Sequence, residues 1–270
     1  MLRLSKTIAT VKDTGVSKQQ RTPRIEALRQ PPVGFAHRGA KAHERENTLA
    51  AFSRALEMGA TGLESDAWVT VDGQAVLDHD GWVKGSRWSR RRSLAKCCRA
   101  ELPEHIPTLD DLFTACGQDF ELALDLKDPK AAQAVMQSVD KAANRLGSSL
   151  RQRVWLCHPD LATLRSLRTF WPDVRLCHST RLSRMDKGSE RHAAELAEAG
   201  VESVNLHQSD WTGGLVTLFH RFRLFCFGWD AQQPRVLNEL LNLGIDGVFS
   251  DHTDRMMDAI TTCYRSSHVS

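Results

Sequence analysis

The sequence predicts an α/β fold, a closed (β/α)₈ TIM barrel with a small hairpin and loop insertion after the second strand. From Pro31 onward, short β-branched or apolar runs alternate with longer helical patterns, which is typical of βα units on a parallel sheet. There are eight such runs, and a chain of 270 residues has the usual length of one barrel. Polar and charged residues follow several of the runs, and closure would bring them to one rim.

Strands and helices alternate throughout this region. The predicted strands are Val33–Ala36, Gly62–Asp66, Glu121–Leu126, Val154–Cys157, Val174–Cys177, Ser203–Leu206, Leu224–Phe227 and Gly247–Phe249. Apolar residues at helical spacing predict the helices Thr48–Met58, Ala131–Leu146, Asp160–Phe170, Ser189–Ala199, Gly213–Arg221, Pro234–Leu243 and Thr253–Cys263. An open, doubly wound sheet would suit the same alternation, and no GxGxxG fingerprint decides between the two. The reactive residues at the strand ends favour closure.

The segment after the second strand departs from this alternation. Asp72-Gly73 separates two alternating stretches, Ala67–Val71 and Gln74–Asp78, which indicates a hairpin. Residues Gly81–His105 follow neither the strand period nor the helix period, and they are rich in Arg and Trp. We expect a loop over the rim, in which Trp82 and Trp88 are candidates for a substrate lid.

The positive charge of the chain is concentrated at its N-terminus. Residues 1–30 contain seven Lys or Arg and two Asp or Glu, whereas the whole chain has a net charge of +3, so the remainder is slightly acidic. No apolar stretch has the length of a signal peptide core or of a membrane span. The seven cysteines, an odd number, suit free thiols in a reducing compartment.

These features predict the organisation and location of the protein. We expect a flexible basic extension over residues 1–30 and a single barrel domain over residues 31–270. The location is expected to be cytoplasmic, with a small molecule as the partner, no stable membrane insertion and no nucleic acid. The sequence does not predict the oligomeric state.

Acidic residues end two neighbouring predicted strands. Glu64 and Asp66 are two positions apart, so both side chains project from the same face of the second strand. Carboxylates side by side raise each other's pKa unless a cation neutralises them, and oxygen ligands suit Mg²⁺ or Ca²⁺. Asp125 ends the third strand and is a candidate third ligand. The three residues therefore predict a site for a divalent cation.

Histidines and basic residues surround this predicted site. His37 and Arg38 follow the first strand, His79 lies between Asp78 and Asp80, and Lys127 follows the third strand. Two imidazoles allow one proton donor and one acceptor near neutral pH, and an arginine can clamp two phosphate oxygens. Cleavage of a phosphodiester needs these functions together. We favour His79 as the acid and His37 as the base, although the sequence does not fix that order.

The string Leu-Cys-His occurs twice, at residues 156–158 and 176–178. In each string the cysteine and the histidine are adjacent on a strand, so their side chains face opposite sides. This placement argues against a zinc site. We expect His158 and His178 to line the pocket mouth or to form local hydrogen bonds.

Several strings, taken in order, resemble the glycerophosphodiester phosphodiesterase family. The strings in the N-terminal half are His37-Arg38-Gly39, Glu46-Asn47-Thr48-Leu49-Ala50-Ala51-Phe52, Gly62-Leu63-Glu64-Ser65-Asp66, Asp72-Gly73 and His79-Asp80. Those that follow are Ile106-Pro107-Thr108-Leu109-Asp110, Asp125-Leu126-Lys127, Trp229, Leu243-Gly244-Ile245-Asp246-Gly247 and Ser250-Asp251. The similarity covers roughly residues 33–255, and its specificity comes from the order of the strings.

The resemblance implies a TIM-barrel hydrolase that uses Ca²⁺ or Mg²⁺ to release an alcohol and sn-glycerol 3-phosphate from a glycerophosphodiester. It implies cation ligands at Glu64, Asp66 and Asp125 and a proton-transfer pair at His37 and His79. The residues implied to hold phosphate oxygens are Arg38 and Lys127. Two further roles follow from it: Glu46 would fix Arg38 or the metal-bound waters, and Trp229 would form a wall against the glycerol or the head group.

The sequence departs from the pattern of the family at two positions. Arg45 stands where the family usually has proline, which should loosen the loop before Glu46. Asp125 stands where the family more often has Glu. The carboxylate is shorter by one C–C bond of roughly 1.5 Å, so it would bind the cation through water, and the identity of the metal is open.

Two other functions remain compatible with the sequence. A related barrel could cleave the head group from a lysophospholipid, in which case apolar residues of Gly81–Arg92 would accommodate the acyl chain. A non-catalytic barrel could bind phosphate without turnover, and the shorter Asp125 is the feature that keeps this alternative open. Activity with and without a chelator distinguishes these functions.

Overall fold

A computed structural model describes residues 26–84, 91–146 and 150–267 of the chain. Its strands are β1 (Val33–His37), β2 (Gly62–Val69), β3 (Ala75–Leu77), β4 (Trp82–Val83), β5 (Arg92–Ser93), β6 (Glu121–Leu126), β7 (Val154–His158), β8 (Arg175–Thr180), β9 (Ser203–His207), β10 (Phe225–Trp229) and β11 (Gly247–Ser250). The neighbours in the main sheet follow the order β1-β11-β10-β9-β8-β7-β6-β2, and all these pairs are parallel. Pairing of β1 with β2 closes the barrel, as predicted.

Helices follow the barrel strands and cover the outside. They are α1 (Leu49–Glu57), α2 (Leu109–Cys116), α3 (Ala131–Leu146), α4 (Leu161–Phe170), α5 (Ser189–Glu198), α6 (Gly213–Arg221), α7 (Pro234–Asn242) and α8 (Thr253–Ser267). The predictions of α3 and α6 are confirmed to the residue. Helix α2 was not predicted, because it has only eight residues and follows a segment without helical periodicity.

The eight predicted barrel strands are all present, but seven of them end later than predicted. Strand β1 includes His37, β7 includes His158 and β9 includes His207. Polar residues at the carboxyl ends lower the strand propensity, whereas the pairing with neighbouring strands continues through them. The prolonged ends carry side chains into the mouth of the barrel.

The insertion after β2 forms a small structure of its own. Strand β3 pairs antiparallel with the end of β2, and β4 pairs antiparallel with β5. The side chains that form a separate apolar cluster here are Val76, Val83, Leu94, Cys97, Leu102 and Ile106. The prediction of an irregular loop over Gly81–His105 was therefore wrong in part. Trp82 is exposed, and Trp88 lies outside the described residues.

The barrel encloses an apolar interior below its mouth. Phe35 stacks on Phe249 with ring centroids 4.4 Å apart, and Phe227 packs edge-on against Phe35 and Trp155. Cys157 and Cys177, which are register partners on β7 and β8, complete this layer. Because side chains fill the interior, the barrel is closed below the polar residues at the strand ends.

The opposite end of the barrel holds the end of the N-terminal extension. Arg29 Nη1 lies 3.0 Å from a Glu121 oxygen, and the Arg29 backbone N–H donates to Asp246. The predicted boundary at residue 30 therefore falls within a segment that contacts the barrel, while residues 1–25 lie outside the described part of the chain. Within the described residues, no helix is both long and apolar enough to cross a membrane.

Candidate active site

The turn after β1 positions His37 and Arg38 at the mouth. Arg38 has a φ of 54° and Gly39 a φ of 79°, so the chain reverses in the left-handed region. A side chain at Gly39 would place its Cβ 2.6 Å from the carbonyl carbon of Ala51, which only glycine avoids. The turn therefore packs directly on α1 and directs both functional side chains across the rim.

Three carboxylates meet on the rim above β2 and β6. Asp66 and Asp125 are register partners on these strands, and Glu64 lies on the same strand as Asp66. Their oxygens lie within 4.8 Å of one another. Burial raises the pKa of Glu64 to about 8, and the negative charges of Asp66 and Asp125 act in the same direction. We call Glu64, Asp66 and Asp125 the carboxylate trio, and its oxygen-only ligands fit Mg²⁺ or Ca²⁺.

The two basic residues predicted to bind phosphate contact the carboxylate trio. Lys127 Nζ lies 2.8 Å from Asp66 Oδ1 and 3.4 Å from Asp125 Oδ2. Arg38 donates through Nη1 to both oxygens of Glu46, at 3.2 and 3.1 Å, and its Nε lies 3.3 Å from Asp66 Oδ2. The Nε of Arg38 is buried and has no hydrogen-bond partner among the described residues. Glu46 is therefore a hydrogen-bond partner of Arg38.

His37 is held between two carboxylates. Its Nδ1 lies 2.6 Å from Asp251 Oδ1, and its Nε2 lies 3.8 Å from Glu64 Oε2. Asp251 in turn has Lys41 Nζ at 3.7 Å from its second oxygen. The pair with Asp251 fixes the orientation of the ring and leaves Nε2 directed at the carboxylate trio.

His79 lies on the neighbouring side of the mouth without touching the other predicted residues. The backbone N–H of Asp78 donates to the carbonyl of Asp66, which fixes the segment beside β2. The His79 ring is partly exposed, and its Nδ1 contacts Asp80 Oδ1 at 2.9 Å. A cleft of ≈ 120 Å³ lies beside this segment, and it is lined by both chain neighbours of His79 but not by His79 itself. Its lining residues are Arg45, Glu46, Asn47, Asp78, Asp80, His105 and Ile106.

Arg45, which replaces a proline of the family pattern, spans part of this cleft. One of its guanidinium nitrogens lies 2.8 Å from Nε2 of His105. A proline could not make this contact between the loop after β1 and the insertion. The contact acts against the loosening that we expected from the loss of proline.

Sequence reasoning assigned no role to three residues that organise the site. Asn47, with a φ of 55°, donates to Asp66 Oδ2 at 3.2 Å and accepts from the Ser65 hydroxyl at 2.7 Å. Lys41 lies between Glu46 and Asp251. Asp251 was named in the sequence as part of the string Ser250-Asp251, not as the partner of His37. Asn47 and Asp251 belong to strings that carried the family resemblance, and membership of those strings was the feature of the sequence that could have identified them. No feature of the sequence pointed to Lys41.

The remaining predicted residues lie further round the rim. Trp229 ends β10 and packs edge-on against His207, with ring centroids 4.6 Å apart. The Arg181 guanidinium lies 5.7 Å from the centre of the Trp229 ring. The structure therefore brings Trp229 to the mouth but not into contact with the carboxylate trio. His178 hydrogen-bonds locally through Nε2 to the Pro159 carbonyl, at 2.9 Å.

Negative charge exceeds positive charge in the connected group of side chains at the mouth. Its carboxylates are Glu46, Glu64, Asp66, Asp125 and Asp251, and its permanently charged cations are Arg38, Lys41 and Lys127. With all five carboxyl groups ionised, as they would be around a bound cation, and with His37 neutral, the surplus is two negative charges, which equals the charge of one divalent cation. The fold and the site together define a TIM-barrel protein with an acidic mouth whose carboxylates could hold a divalent cation.

Known proteins share this sequence pattern and fold. The profile of the Glycerophosphoryl diester phosphodiesterase family matches residues 37–255. A glycerophosphodiester phosphodiesterase of Caldanaerobacter subterraneus is 25% identical over 243 residues, which cover 84% of this chain and 96% of the relative. A crystal structure of a glycerophosphoryl diester phosphodiesterase from Silicibacter pomeroyi, itself described as putative, has a TM-score of 0.74 at 22% identity and covers 89% of this chain and 95% of its own.

A further solved structure carries a bound product. It is a phosphodiesterase of Oleispira antarctica in complex with sn-glycerol-3-phosphate, with a TM-score of 0.70, 22% identity and coverage of 85% of this chain and 97% of its own. The family profile spans most of the present chain. The chain therefore belongs to the glycerophosphoryl diester phosphodiesterase family, and it is a phosphoric diester hydrolase.

Proposed function

We propose that the protein hydrolyses glycerophosphodiesters to an alcohol and sn-glycerol 3-phosphate, with Mg²⁺ or Ca²⁺ held by Glu64, Asp66 and Asp125. The observation that carries the metal dependence is the carboxylate trio, with its oxygens within 4.8 Å and a surplus of negative charge around it. When bound, the cation supplies charge neutralisation at the phosphoryl oxygens. The same reaction product occupies the structure of the Oleispira antarctica phosphodiesterase.

Arg38 and Lys127 would hold the phosphate oxygens that the cation leaves free. Both already lie against Asp66, at 3.3 Å and 2.8 Å. Their positive charges would therefore face the phosphate from the same side as the carboxylate trio. Charges placed there stabilise the negative charge that develops as the phosphoryl group reacts.

His37 is proposed as the base and His79 as the acid. Asp251 would accept a hydrogen bond from the Nδ1–H of His37, which would leave Nε2 able to accept a proton from the attacking water or from a neighbouring glycerol hydroxyl. The cleft lined by Asp78 and Asp80, the chain neighbours of His79, would have room for a departing head group. The leaving oxygen would take its proton from His79, and the Trp229 ring would contact the glycerol or the head group.

A phosphorus NMR assay with glycerophosphocholine tests this function. We expect conversion to sn-glycerol 3-phosphate in the presence of Mg²⁺ or Ca²⁺, loss of activity in excess EDTA and recovery when the cation is restored. Full activity with chelator in excess and metal shown to be absent would refute the metal dependence. No conversion under any condition, with lysophosphatidylcholine cleaved instead, would favour the lysophospholipid alternative.

The domain boundaries of the chain are also part of the proposal. Residues 31–270 would form one catalytic domain, which agrees with a family match that lies within them. The cytoplasmic location stays a prediction.

A further inference from the structure

A second group of metal-binding side chains lies on the outer rim, away from the carboxylate trio. His43 follows the Arg38 turn, and His252 and Asp254 lie at the start of α8, just after Asp251. One ring nitrogen of each histidine and one oxygen of Asp254 lie within 4.8 Å of one another. We call these three residues the rim trio.

An ordinary surface hydrogen bond explains only part of this arrangement. His43 Nε2 lies 3.2 Å from Asp254 Oδ1, which accounts for two of the three side chains. Across the described residues, the hydrogen bonds of His252 involve its backbone and not its ring: its N–H donates to the Ser250 hydroxyl, and its carbonyl accepts from the Met256 N–H. The imidazole of His252 therefore has a free nitrogen directed at a histidine and a carboxylate.

The spacing of the rim trio is close to that of a tetrahedral metal site. Bonds of about 2.0–2.1 Å in tetrahedral geometry separate neighbouring ligand atoms by about 3.4 Å. His43 and Asp254 already have this separation. His252 is half-buried, and one of its ring nitrogens lies within 4.8 Å of the ligand atoms of the other two residues. The negative charge of Asp254 offsets the unfavourable effect of a cation at the N-terminus of α8.

We propose that the rim trio binds an imidazole-preferring divalent ion such as Zn²⁺, with water as the fourth ligand. Two nitrogens and one oxygen favour Zn²⁺, Co²⁺ or Ni²⁺ over Mg²⁺ and Ca²⁺, whereas the oxygen-only carboxylate trio has the opposite preference. The two sites would therefore select different metals. The ion would also join the loop after β1, which carries Lys41, to the start of α8, which follows Asp251 closely in the chain.

A second candidate cluster in the fold does not support the same inference. His220, Cys226 and Asp246 also lie within 4.8 Å of one another. The carboxylate of Asp246 is already bound by the His220 ring and by the backbone N–H groups of Cys226 and Arg29. Its acceptors are used within the fold, so this cluster is a structural hydrogen-bonding centre.

Titration of the protein with Zn²⁺ in a large excess of Mg²⁺ tests the proposal. Calorimetry should detect one equivalent of bound Zn²⁺ in the wild type. His43→Ala and His252→Ala should each weaken this binding at least roughly tenfold, since each removes a direct ligand. Asp258→Asn, on an exposed position of the same helix, should leave it unchanged. Zn²⁺ should raise the melting temperature of the wild type and of Asp258→Asn, but not of His252→Ala.

The outcomes decide the proposal without reference to catalysis. Absence of a Zn²⁺ site in the wild type overturns it, and so does unchanged affinity in His252→Ala. Equal loss in Asp258→Asn would indicate unspecific surface binding and also overturn it. An Asp125→Ala variant should retain the rim site, so failure of the proposed phosphodiesterase mechanism would leave this result standing.

Discussion

Nδ1 of His37 lies 2.6 Å from Oδ1 of Asp251, a contact that joins the first and last strands of the barrel. Burial of His37 opposes its charged form, but the carboxylates of Glu64 and Asp251 outweigh this effect and raise the pKa of the imidazole. Burial likewise opposes ionisation of Asp251, yet the bond to His37 and the charge of Lys41 hold its pKa below the usual value. Each residue therefore stabilises the charged form of the other.

Asp251→Asn should reduce kcat by on the order of 10²-fold, because the amide no longer fixes the Nδ1–H tautomer of His37 or stabilises its charged form. The pKa of His37 should fall, so the low-pH limb of the pH–rate profile should move to lower pH. Steady-state kinetics across pH would measure both effects. Asp258→Asn serves as the control, and an unchanged profile in Asp251→Asn would mean that this pair does not act in catalysis.

The fold could be predicted because the alternation of strands and helices is a local property of the sequence. Closure of the sheet into a barrel could also be predicted, because the reactive residues lie at the ends of several different strands. Helix α2 was missed because periodicity is weak over eight residues, although Thr108 and Asp111 form a capping box that would have indicated its start. The ribbon of β4 and β5 was missed because two-residue strands leave no alternation to detect.

The candidate site was predictable in its composition but not in its pairings. Glu64 and Asp66 share a face because a strand has a period of two, and that argument needs no tertiary structure. The contact of His37 with Asp251 spans 214 positions and exists only because the barrel closes. The position of Asn47 depends on its left-handed backbone conformation, for which asparagine alone is a weak signal.

Lys127→Met should separate cation binding from catalysis. Lys127 neutralises Asp66 and Asp125 in the structure, so its loss should strengthen Mg²⁺ binding several-fold while hydrolysis falls roughly 10²- to 10³-fold. Calorimetry and steady-state kinetics measure the two effects. Lys41→Met, which removes a cation that contacts Glu46 and Asp251 but no member of the carboxylate trio, should change Mg²⁺ affinity less. Wild-type turnover in folded Lys127→Met would exclude a phosphate contact.

Cation binding should release a proton and strengthen with pH. Burial raises the pKa of Glu64 to about 8 in the metal-free protein, so below that pH the cation must displace a proton. The apparent affinity should rise by up to about tenfold per pH unit up to pH 8 and then level off. Calorimetry in two buffers of different ionisation enthalpy would count the released protons. A pH-independent affinity between pH 6 and 8 would contradict the assignment of Glu64 as a ligand.

Glu64→Gln should stabilise the metal-free protein as pH rises. Between the ordinary pKa of a glutamate and about 8, folded Glu64 holds a proton that the unfolded chain has lost. Its contribution to the free energy of unfolding therefore falls as pH rises through this window, whereas glutamine contributes no such dependence. The melting temperature of Glu64→Gln relative to wild type, measured in EDTA, should increase from pH 5 to pH 8. An equal difference at both values would mean that Glu64 does not titrate there.

Substitutions at Asp125 test whether its shorter side chain reaches the cation. Asp125→Asn keeps the shape and removes the charge, so metal affinity should fall roughly 10- to 100-fold and added cation should partly restore the rate. Asp125→Glu restores the usual length of the family, and it should retain activity with an altered preference between Mg²⁺ and Ca²⁺. Asp125→Ala should be nearly inactive, because it leaves two of the three carboxylates.

Calorimetric titration of the folded Asp125 variants with Mg²⁺ and Ca²⁺ shows whether the Asp125 carboxylate is a ligand of the cation. Asp125 already lies 3.4 Å from Lys127, so loss of its carboxylate would also free that lysine to approach Asp66 more closely. A Lys127→Met background removes this second effect, and the affinity change that persists there belongs to Asp125 itself. If the double variant Asp125→Ala/Lys127→Met bound metal as tightly as Lys127→Met alone, another carboxylate must complete the site. Glu46 would then be the first residue to test, because Arg38 already links it to Asp66.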